Sequence, residues 1–486
     1  MPGKRQVAEE KMINLNDASV IKKIILKGKL VLKTPLLIGG GEADGFTDIT
    51  MIKDKSGIPF IPGTSFIGVL RSMLKKDSKF HDYYFGDMED DREKEENINT
   101  QSFLVAGDIY LQNTKITVRD GVKIDRDRGV AENNAKYDYE AIESESDKKE
   151  AQGDFSITLT IRKRYEKNLA DIEEFINQIA ALLEHGIFLG AHTSKGFGKA
   201  VGIQMRKEIY DFKNCSDVIA WLKKTGNPQK TEILQNLKYE SPNDLFVLEA
   251  DMFLSGSILV KTESDKKGIA AENLQKNNGD FIIPGATVKG VISQRIYDIF
   301  KNTGKEDSYL PKLLGSGKKN EALKSRLSVE EIYLQHNENN APFIDYKQTR
   351  NRIDRFTGGT IDKALFTTRP VIQVEKDMPY FKLILKIKDC EDFEAGLMLF
   401  VLKDLWTGMV AFGGDKSIGR GILKGFNAKI HYKKSGKVMA DAELTEDKDG
   451  KISISGMDGK AREILEKLAK TFADKDFAEQ KEEAAK

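Results

Sequence analysis

The sequence predicts an α+β protein that consists of two copies of one domain, and repeated segments are the main evidence for this. Ile61-Pro62-Gly63 recurs 222 residues later as Ile283-Pro284-Gly285. The glycine loop "GAHTSKGFG" (190–198) recurs 223 residues later as "GGDKSIGRG" (413–421), with glycine at the first, seventh and ninth positions of both. Repeats in one order at nearly one offset indicate a duplicated domain with small insertions.

A third repeat and the composition between the repeats set the domain boundaries. "VKIDRDRG" (122–129) recurs 229 residues later as "NRIDRFTG" (351–358). The predicted parts are an N-terminal tail (1–18), a first domain (19–210), a helical connector (211–244), a second domain (245–435) and a C-terminal extension (436–486) that is partly helical or disordered.

The order of elements within each copy predicts a ferredoxin-like (RRM-like) sheet. In the first copy, residues 19–40 alternate as a strand, and the Pro-Gly turn then opens a helix with apolar periodicity. "FSITLTIRKRY" (155–165) alternates as another strand, and 168–186 is an amphipathic helix that Gly186 closes. The second copy repeats this order, so each copy is predicted as strand–helix–strand–strand–helix–strand.

The composition excludes several classes of protein. The chain has 486 residues, of which 40% are hydrophobic and 31% are charged, and its formal net charge is +1. Cys215 and Cys390 are too few for a disulfide framework or a cysteine-based zinc site, which favours a cytoplasmic protein. No apolar run of about 18 residues predicts a membrane span, and the first residues lack the apolar core of a secretory signal.

Hydroxyl residues follow glycine at both helix starts. Backbone amides at a helix N-terminus lack partners within the helix, and glycine allows close approach, so this arrangement suits a phosphate oxygen. Simple helix capping is the alternative, worth about 1 kcal/mol. The candidate residues are Gly63, Thr64 and Ser65 in the first copy and Gly285 and Thr287 in the second.

Basic residues accompany the glycines of both loops. Glycine-rich concave backbone beside a cation binds anions. Each loop is predicted to follow a helix and precede a strand, unlike a dinucleotide fingerprint, and it lacks the Gly-Lys-Ser/Thr ending of a Walker loop. The candidates are Lys195, Gly196, Gly198 and Lys199 in the first loop and Lys416, Gly419, Arg420 and Gly421 in the second.

The Ile-Asp-Arg segments combine arginines with aromatic residues. Cations follow phosphates and aromatic tips insert between bases, so these segments predict contacts with a nucleic acid. A solvated hairpin with scattered charges is the alternative. The candidates are Arg126 and Arg128 in the first segment and Arg350, Arg352 and Arg355 in the second.

Acids precede the first Pro-Gly helix in a glycine-rich loop. An acid placed there could hold a divalent metal or orient an attacking oxygen near a bound phosphate, whereas solvated loop acids are the alternative. At an offset of 222, Asp48 aligns with Ala270, and Asp265 lies only nearby. The acids of the first loop are Glu42, Asp44, Asp48 and Asp54.

The histidines have no metal-ligand spacing, so a zinc site is not predicted. His192 lies within the first glycine loop and could act as a general acid or base. Asp415 occupies its place in the second loop.

Together these segments resemble the RAMP superfamily of CRISPR proteins, and more narrowly the backbone subunits of type III (Csm/Cmr-like) effector complexes. The resemblance is carried by "LLIGGGEADGFTDITMIKD", "IPGTSFIGVLR", "IDRDRGVAENNAKYDYE" and "GAHTSKGFGK", and in the second copy by "IIPGATVKGVI", "RIDRFTGGTIDKALF" and "GGDKSIGRG". It implies two tandem RAMP domains in one chain, each with a β-hairpin thumb, here in residues 116–140 and 345–366.

The resemblance also implies an activity. Such subunits bind a guide crRNA beside other CRISPR effector subunits, and a loop aspartate supports divalent-metal-dependent cleavage, with Mg²⁺ expected, of the complementary single-stranded target RNA. Asp48 matches that position and is the predicted catalytic and metal-binding residue. Ala270 implies that cleavage occurs mainly through the first domain. Of two cations common in the family near the Pro-Gly turn, the first copy keeps Arg71 and the second keeps Lys289.

Two alternatives stay open. The missing cations and Ala270 also suit a non-catalytic crRNA-binding scaffold subunit. His192 in a glycine loop also suits a guide-processing endoribonuclease that works by general acid–base chemistry without metal.

Overall fold

The computed structural model describes most of the chain. The described residues are 19–40, 47–74, 84–86, 102–146, 149–224, 228–239, 244–262, 267–275, 279–317, 322–335, 342–375, 378, 380–447 and 449–477.

The first domain is built on an antiparallel sheet with the strand order β11-β1-β9-β3. This is the order of a ferredoxin-like fold, in which the first and third core strands lie in the centre. Its elements are β1 (Val20–Leu32), β2 (Phe60–Ile61), α1 (Gly63–Met73), β3 (Leu104–Ala106), β4 (Ile109–Tyr110), β5 (Ile116–Ile124), β6 (Ala131–Ile142), β7 (Glu145–Ser146), β8 (Lys149–Glu150), β9 (Gln152–Arg162), α2 (Leu169–His185), β10 (Ile187–Phe188) and β11 (Lys199–Asp211).

The helix predicted at 168–186 is α2, which covers this sheet. Ile172, Ile176 and Ile179 on one face are fully buried. Burying such a side chain stabilises the fold by roughly 1.5–3 kcal/mol. The helix ends at Gly186, whose φ of 109° is open to glycine and strained for other residues.

The second domain repeats the arrangement with the order β18-β24-β13-β25. Its elements are β13 (Leu245–Ser255), β14 (Ser257–Ile258), β15 (Lys261–Thr262), β16 (Ala271–Asn273), β17 (Phe281–Ile283), α4 (Gly285–Asn302), α5 (Leu310–Leu314), β18 (Leu327–Val329), β19 (Ile332–Leu334), β20 (Phe343–Asp345), β21 (Gln348–Arg350), β22 (Phe366–Arg369), β23 (Val371–Gln373), β24 (Phe381–Lys388), α6 (Asp392–Trp406) and β25 (Ile422–Lys434). The predicted pair of ferredoxin-like domains is therefore confirmed.

The connector and the C-terminal extension both enlarge a core sheet. The connector contains α3 (Cys215–Leu222) and β12 (Lys230–Leu234), which pairs with β11. The extension contains β26 (Lys437–Glu446), β27 (Ile452–Ser455) and α7 (Ala461–Asp474). β26 pairs with β25, which corresponds to β11, so both added strands lie on the same edge of their sheets. The helical periodicity of the tail is confirmed by α7, whereas the two strands before it were not predicted.

The predicted thumbs differ in regularity. In the first domain, β5 and β6 form a long hairpin from residue 116 to residue 142. In the second domain, only three pairs join β21 to β22, and residues 351–365 form an irregular loop between them. Both tips turn in the same way, because Asp125 and Asp354 each accept two backbone N–H groups from the residues that follow.

Candidate active site and nucleic-acid interface

Asp48 forms a reciprocal pair with Asp138 at the base of the first thumb. The Asp48 amide donates to Asp138 Oδ1 at 2.8 Å, and the Asp138 amide donates to Asp48 Oδ2 at 3.0 Å. The two residues meet because the loop segment that carries Asp48 crosses β6. At this crossing, Ile49 and Tyr139 form a parallel β-bridge. Each carboxylate is therefore held by a backbone group from a segment 90 residues away.

The neighbouring residues fix the same crossing. The Met51 amide donates to Glu140 Oε2 at 2.8 Å, and Lys53 forms an ion pair with Glu140 at 3.0 Å. Because side chains alternate along a strand, Asp138 and Glu140 lie on one face of β6. The loop that carries Asp48 is thus tied to the thumb at two points.

The second domain keeps this crossing but loses both acids. Ala271 bridges Thr368 in parallel, just as Ile49 bridges Tyr139. Ala270 therefore occupies the position of Asp48, and Thr367 occupies the position of Asp138. The Ala270 amide donates to the backbone oxygen of Thr367 at 2.8 Å, whereas the Asp48 amide donates to a carboxylate, so the second domain keeps the two segments together without an acid.

The acid pair has the chemistry that Mg²⁺ prefers. Asp48 Oδ1 and Asp138 Oδ2 accept no hydrogen bond from the described residues. Mg²⁺ in phosphate chemistry is commonly held by one or two carboxylates, with substrate phosphate and water completing the shell. Within the same described part of the chain, no three His, Cys, Asp or Glu side chains group closely enough to hold an ion. The residues fit a metal that is bound jointly with substrate.

Several predicted acids lie outside the described residues. These are Glu42, Asp44 and Asp265. The remaining acid of the first loop, Asp54, accepts the amides of Ser56 and Ile58 and forms a turn.

The two Pro-Gly helix starts are covered by different groups. The Gly63 amide donates to Asp108 Oδ1 at 2.9 Å, within the first domain. At Gly285, a Cβ atom would lie 1.7 Å from the carbonyl oxygen of Lys195, which belongs to the first glycine loop. Both helix starts are therefore packed by protein, and only the second is packed by the other domain.

The last glycine of each loop is required by the fold. The Gly198 and Gly421 amides donate at 2.7 Å to the carbonyls of Pro35 and Ser257. Both glycines have φ near +80°, and a Cβ would lie 1.8 Å from the backbone oxygen of Leu189 at Gly198 and of Phe412 at Gly421. These two amides are consequently engaged inside the protein rather than directed at a ligand.

The first glycine loop packs against a surface of the second domain that we call the second helix corner, residues 285–289 and 329–331. A Cβ on Gly196 would lie 3.0 Å from the Glu331 nitrogen. Lys289 Nζ donates to Ser194 Oγ at 2.7 Å across the same contact. Burial, and then the nearby charge of Lys195, lower the pKa of Lys289 to about 8. Burial also lowers the pKa of Lys195.

A buried ion triad lies beside this contact. Arg119 of the first thumb bonds Glu143 of its own domain at 2.9 Å and Glu331 of the second domain at 2.7 Å. Its guanidinium also lies 5.1 Å from the Phe197 ring centroid. Burial alone would lower the pKa of Arg119, but Glu331 and Glu143 outweigh burial and raise it above its ordinary value. The triad holds the two domains together.

The second glycine loop has its own ionic cluster. Asp415 Oδ2 accepts from Arg350 at 2.6 Å and from Arg420 at 3.0 Å, and Asp415 also pairs with Lys261 at 2.8 Å. Arg420 is 2% exposed and donates as well to Gln348. Arg350 and Arg420, both predicted to bind RNA, thus have internal carboxylate partners, and their role in binding stays a prediction.

His192 lies among aromatic rings rather than in an open cleft. Its ring meets Tyr139 edge-on at 4.9 Å and Phe197 at 5.9 Å between centroids. Burial, and then the charge of Lys195, lower the pKa of His192 to about 4. The imidazole is therefore neutral at pH 7, so it lacks the imidazolium form that acts as a general acid.

The thumb tips carry four of the exposed predicted cations. Arg126 is one of them, and its guanidinium also stacks on Tyr297 of α4 at 3.9 Å and so joins the domain contact. The other three are Arg128, Arg352 and Arg355, and they lie beside the fully exposed Phe356.

The other predicted residues lie at the helix starts and loop ends. Thr64 and Ser65 occupy the first turn of α1, with Arg71 in its last turn, and Thr287 occupies the first turn of α4. The Lys199 amide donates to Thr34, and Lys416 and Gly419 are exposed. The structure does not bring Asp48 into hydrogen-bond contact with any of them.

Sequence reasoning missed Asp138, Arg119 and Glu331. One feature of the sequence could have indicated Asp138. The offset of 229 aligns it with Thr367, so the second copy lacks a counterpart of Asp138 as well as a counterpart of Asp48. Arg119 and Glu331 lie 212 residues apart, and no local pattern marks either of them.

The fold and site define a class of proteins with tandem ferredoxin-like domains that share a thumb insertion and a glycine loop before the last core strand. The family model of the RAMP superfamily matches residues 29–201 and 256–424, one segment in each domain. The chain therefore belongs to the RAMP superfamily.

The chain is also similar to a curated protein, the "CRISPR system Cms endoribonuclease Csm3" of Streptococcus thermophilus. The two are 26% identical over 219 residues, which span 40% of this chain and 96% of the relative. Almost the whole length of the relative therefore corresponds to less than half of this chain. In the described part of the chain, no helix has both the length and the apolar character needed to cross a membrane.

Proposed function

We propose that this chain is a backbone subunit of a type III CRISPR effector complex. It binds a guide crRNA together with other effector subunits and cleaves complementary single-stranded target RNA through its first domain. The membership in the RAMP superfamily and the similarity to an endoribonuclease support the class. The observation that carries the catalytic assignment is the reciprocal pair of Asp48 and Asp138, which the second domain lacks.

The two carboxylates would hold a divalent metal, expected to be Mg²⁺, against a target phosphate. When bound, such an ion polarises the phosphoryl oxygens and stabilises the developing charge. The chain's own contribution is position: each backbone amide orients the opposite carboxylate. Because the crossing ties the loop to the thumb base, target RNA displaced by the thumb would meet the acids at a fixed place.

RNA contacts are proposed for the thumb tips and the loop ends. Arg128, Arg352 and Arg355 are exposed and can follow phosphates, and Phe356 can stack on or between bases. The glycine amides that are engaged within the protein would shape these surfaces.

The experiment compares reconstituted complexes that carry Asp48→Asn or Asp138→Asn. We expect Asp48→Asn to lower target cleavage by at least about 100-fold, because the proposed metal site would lose a charged ligand. Asp138→Asn should lower it by about 10- to 100-fold, since it removes a second charge and alters the partner of the Asp48 amide. Chelation should stop cleavage in the unaltered complex, and Mg²⁺ should restore it.

Asp127→Asn is the matched control, because Asp127 is an exposed acid on the same thumb, outside the pair. Guide and target binding should stay unchanged in all three variants. Undiminished cleavage with Asp48→Asn would overturn the catalytic assignment of Asp48 and leave the scaffold role. The absence of both acids from the second domain already favours a scaffold role for that domain. Cleavage of guide precursors that persists in chelator and depends on His192 would favour processing instead.

A further inference from the structure

The acid pair lies on one face of β6, and a small apolar cluster lies on the other. Because side chains alternate along a strand, Asp138 and its neighbour Tyr139 point to opposite faces. Tyr139 is 4% exposed, and Ala141, the next residue on its face, is fully buried. The cluster is separate from the main core of the first domain and consists of Leu37, Tyr139, Ala141 and Phe197. The strand that carries Asp138 is therefore anchored through its opposite face.

The first glycine loop supplies two rings that hold the ring of Tyr139. The centroid of the Tyr139 ring lies 4.9 Å from that of His192 and 6.0 Å from that of Phe197, and both contacts are edge-on. His192 and Phe197 also contact each other, so the three residues form a closed set that we call the aromatic triangle. Edge-to-face packing favours particular ring orientations and so restricts where each ring can lie.

His192 takes part in the triangle through its ring. Its Nδ1 atom is buried and has no hydrogen-bond partner among the described residues. A neutral imidazole with an unpartnered nitrogen packs against Tyr139 and Phe197 as an aromatic ring does. A phenyl ring at position 192 could therefore replace it, which separates packing from acid–base chemistry.

The other strand of the first thumb is anchored at the same level. Arg119 of β5 is paired with Tyr139 of β6 in the register of the hairpin. Its guanidinium lies 5.1 Å from the centroid of the Phe197 ring and belongs to the buried ion triad. Both strands of the thumb base are thus fixed one residue away from Asp138.

Tyr139 also lies at the crossing that brings Asp48 to the thumb. Ile49 forms its parallel bridge with Tyr139, and the Glu140 amide donates to the carbonyl of Ile49 at 2.9 Å. Asp48 precedes Ile49, and Asp138 precedes Tyr139. A shift of Tyr139 would therefore move both acids relative to each other.

The second domain lacks the triangle together with the acids. It keeps the crossing and the three glycines of the loop, so neither of these features requires the rings. Two of the residues that replace the rings belong to the ionic cluster of the second loop. The residues at the positions of Tyr139, His192 and Phe197 are Thr368, Asp415 and Arg420. The aromatic triangle thus accompanies the acid pair rather than the fold.

We propose that Tyr139, His192 and Phe197 are positioning residues for the pair of Asp48 and Asp138. Their packed rings hold β6 where the amide of each acid meets the carboxylate of the other. The consequence for cleavage rests on the proposed function. The positioning itself is a property of the chain without metal or RNA, so it can be measured separately.

Hydrogen exchange of the full chain measures the positioning at the amides of Asp48 and Asp138. Tyr139→Leu removes the ring and should speed the exchange of both amides by at least about tenfold, because the reciprocal hydrogen bonds then open more often. Tyr139→Phe keeps the ring and should change the exchange by less than about twofold.

His192 allows a second matched comparison. Its φ is 58°, a conformation that asparagine accepts as well as histidine does. His192→Asn keeps this backbone preference but removes the ring, so it should speed the exchange of both amides by at least about fivefold. His192→Phe keeps a ring without the nitrogens and should leave the amides protected.

Ile172→Ala is the control for a general loss of stability. Ile172 is fully buried on α2 and lies outside the triangle. This variant should make the whole domain easier to unfold but should change the exchange of the two amides by less than about twofold, because they exchange through local opening. Circular dichroism checks that each variant is folded.

Cleavage by the reconstituted complex tests the consequence. Tyr139→Leu and His192→Asn should raise the Mg²⁺ concentration for half-maximal cleavage by about tenfold, with target binding unchanged, because misplaced acids hold the ion less well. Tyr139→Phe and His192→Phe should keep the Mg²⁺ dependence of the unaltered chain.

Three results would overturn the proposal. The first is unchanged exchange with Tyr139→Leu, whatever happens to cleavage. The second is faster exchange with an unchanged Mg²⁺ dependence, since the triangle would then shape only the thumb. The third is a loss of cleavage with His192→Phe while the amides stay protected, because His192 would then act through its nitrogens. Undiminished cleavage with Asp48→Asn would instead remove the proposed function and leave the exchange result in place.

Discussion

The two glycine loops have the same backbone but opposite side-chain chemistry. The first surrounds His192 and Phe197 with aromatic rings and receives its cation, Arg119, from the thumb. The second places Asp415 and Arg420 at the same positions as His192 and Phe197 and binds them in an ionic cluster. Two different sets of side chains therefore occupy the same loop backbone. Which set a loop carries depends on whether the loop contacts the other domain or solvent.

The first loop faces a carboxylate of the other domain, and the second faces solvent. Arg119 can satisfy Glu143 and Glu331 together only because the second domain brings Glu331 to it. In the second domain, Gln348 occupies the position of Arg119. The cation of that loop is Arg420, and Asp415 of the same loop neutralises its charge. The duplication thus preserved the residues that shape the backbone, while the residues that contact partners diverged.

The largest expected effect comes from breaking the triad. Arg119→Met should lower the free energy of unfolding by about 3–5 kcal/mol, because it leaves Glu143 and Glu331 buried without a cation. Urea unfolding measures the loss, and hydrogen exchange should show faster exchange at both sides of the domain contact.

Gln348→Met, at the equivalent position, is the comparison. It should lower the free energy of unfolding by only about 1 kcal/mol, because Arg420 keeps Asp415 as a partner. Replacing Arg119, Glu143 and Glu331 together by apolar residues should recover most of the loss. Equal losses from Arg119→Met and Gln348→Met would show that the triad does not distinguish the two domains.

The backbone features that both domains share could be predicted from the sequence, because they depend on local signals. Glycine at 190, 196 and 198 recurs at 413, 419 and 421, and each of these has positive φ in the structure. Gly186 likewise ends its helix where the pattern predicts. Such positions are constrained by backbone geometry, which a sequence records directly.

The partner residues could not be predicted in the same way. Asp138 pairs with Asp48 across 90 residues, and Arg119 pairs with Glu331 across 212. Nothing in a strand's alternation says which loop will cross it, and nothing in either domain says which surface faces the other. The structure also shows Arg420 buried at 2% exposure, although basic residues beside glycine are typical of anion sites.

Alanine substitutions at four loop glycines distinguish the glycines that the loop backbone requires from the glycine that packs against the other domain. Gly198→Ala and Gly421→Ala should lower the free energy of unfolding by similar amounts, about 3 kcal/mol, because each Cβ would clash with a backbone oxygen at positive φ. Gly419→Ala should lower it by only about 1–2 kcal/mol, from the left-handed backbone alone. Gly196→Ala should fall between them, since its Cβ would press on the second domain at 3.0 Å.

Thermal and urea unfolding of the four variants give this ranking directly. If Gly196→Ala and Gly419→Ala were equally destabilising, the first loop would not be packed against the other domain as the structure describes. If Gly198→Ala and Gly421→Ala lowered the free energy of unfolding by widely different amounts, the two loops would not share one backbone conformation.

The smallest expected effect is the pH dependence of the lysine contact. The pKa of Lys289 is about 8 in the folded protein, below its ordinary value of 10.5, mainly because of burial. Between these two pH values the unfolded chain holds a proton that the folded chain lacks, so this group makes stability rise with pH in that window. Below about pH 8 the unfavourable charge is fully present, and Lys289→Met should raise the free energy of unfolding by about 1 kcal/mol at pH 7.

The difference between the unaltered chain and Lys289→Met isolates this group from every other titration. That difference should be largest near pH 7 and shrink as pH rises from about 8 to 10.5, because the unaltered Lys289 then loses its proton. Lys429→Met, at an exposed lysine of the second domain, should give no such trend. A constant difference across the window would mean that Lys289 keeps its ordinary pKa. The charge of Lys289 would then not disfavour the contact between the domains.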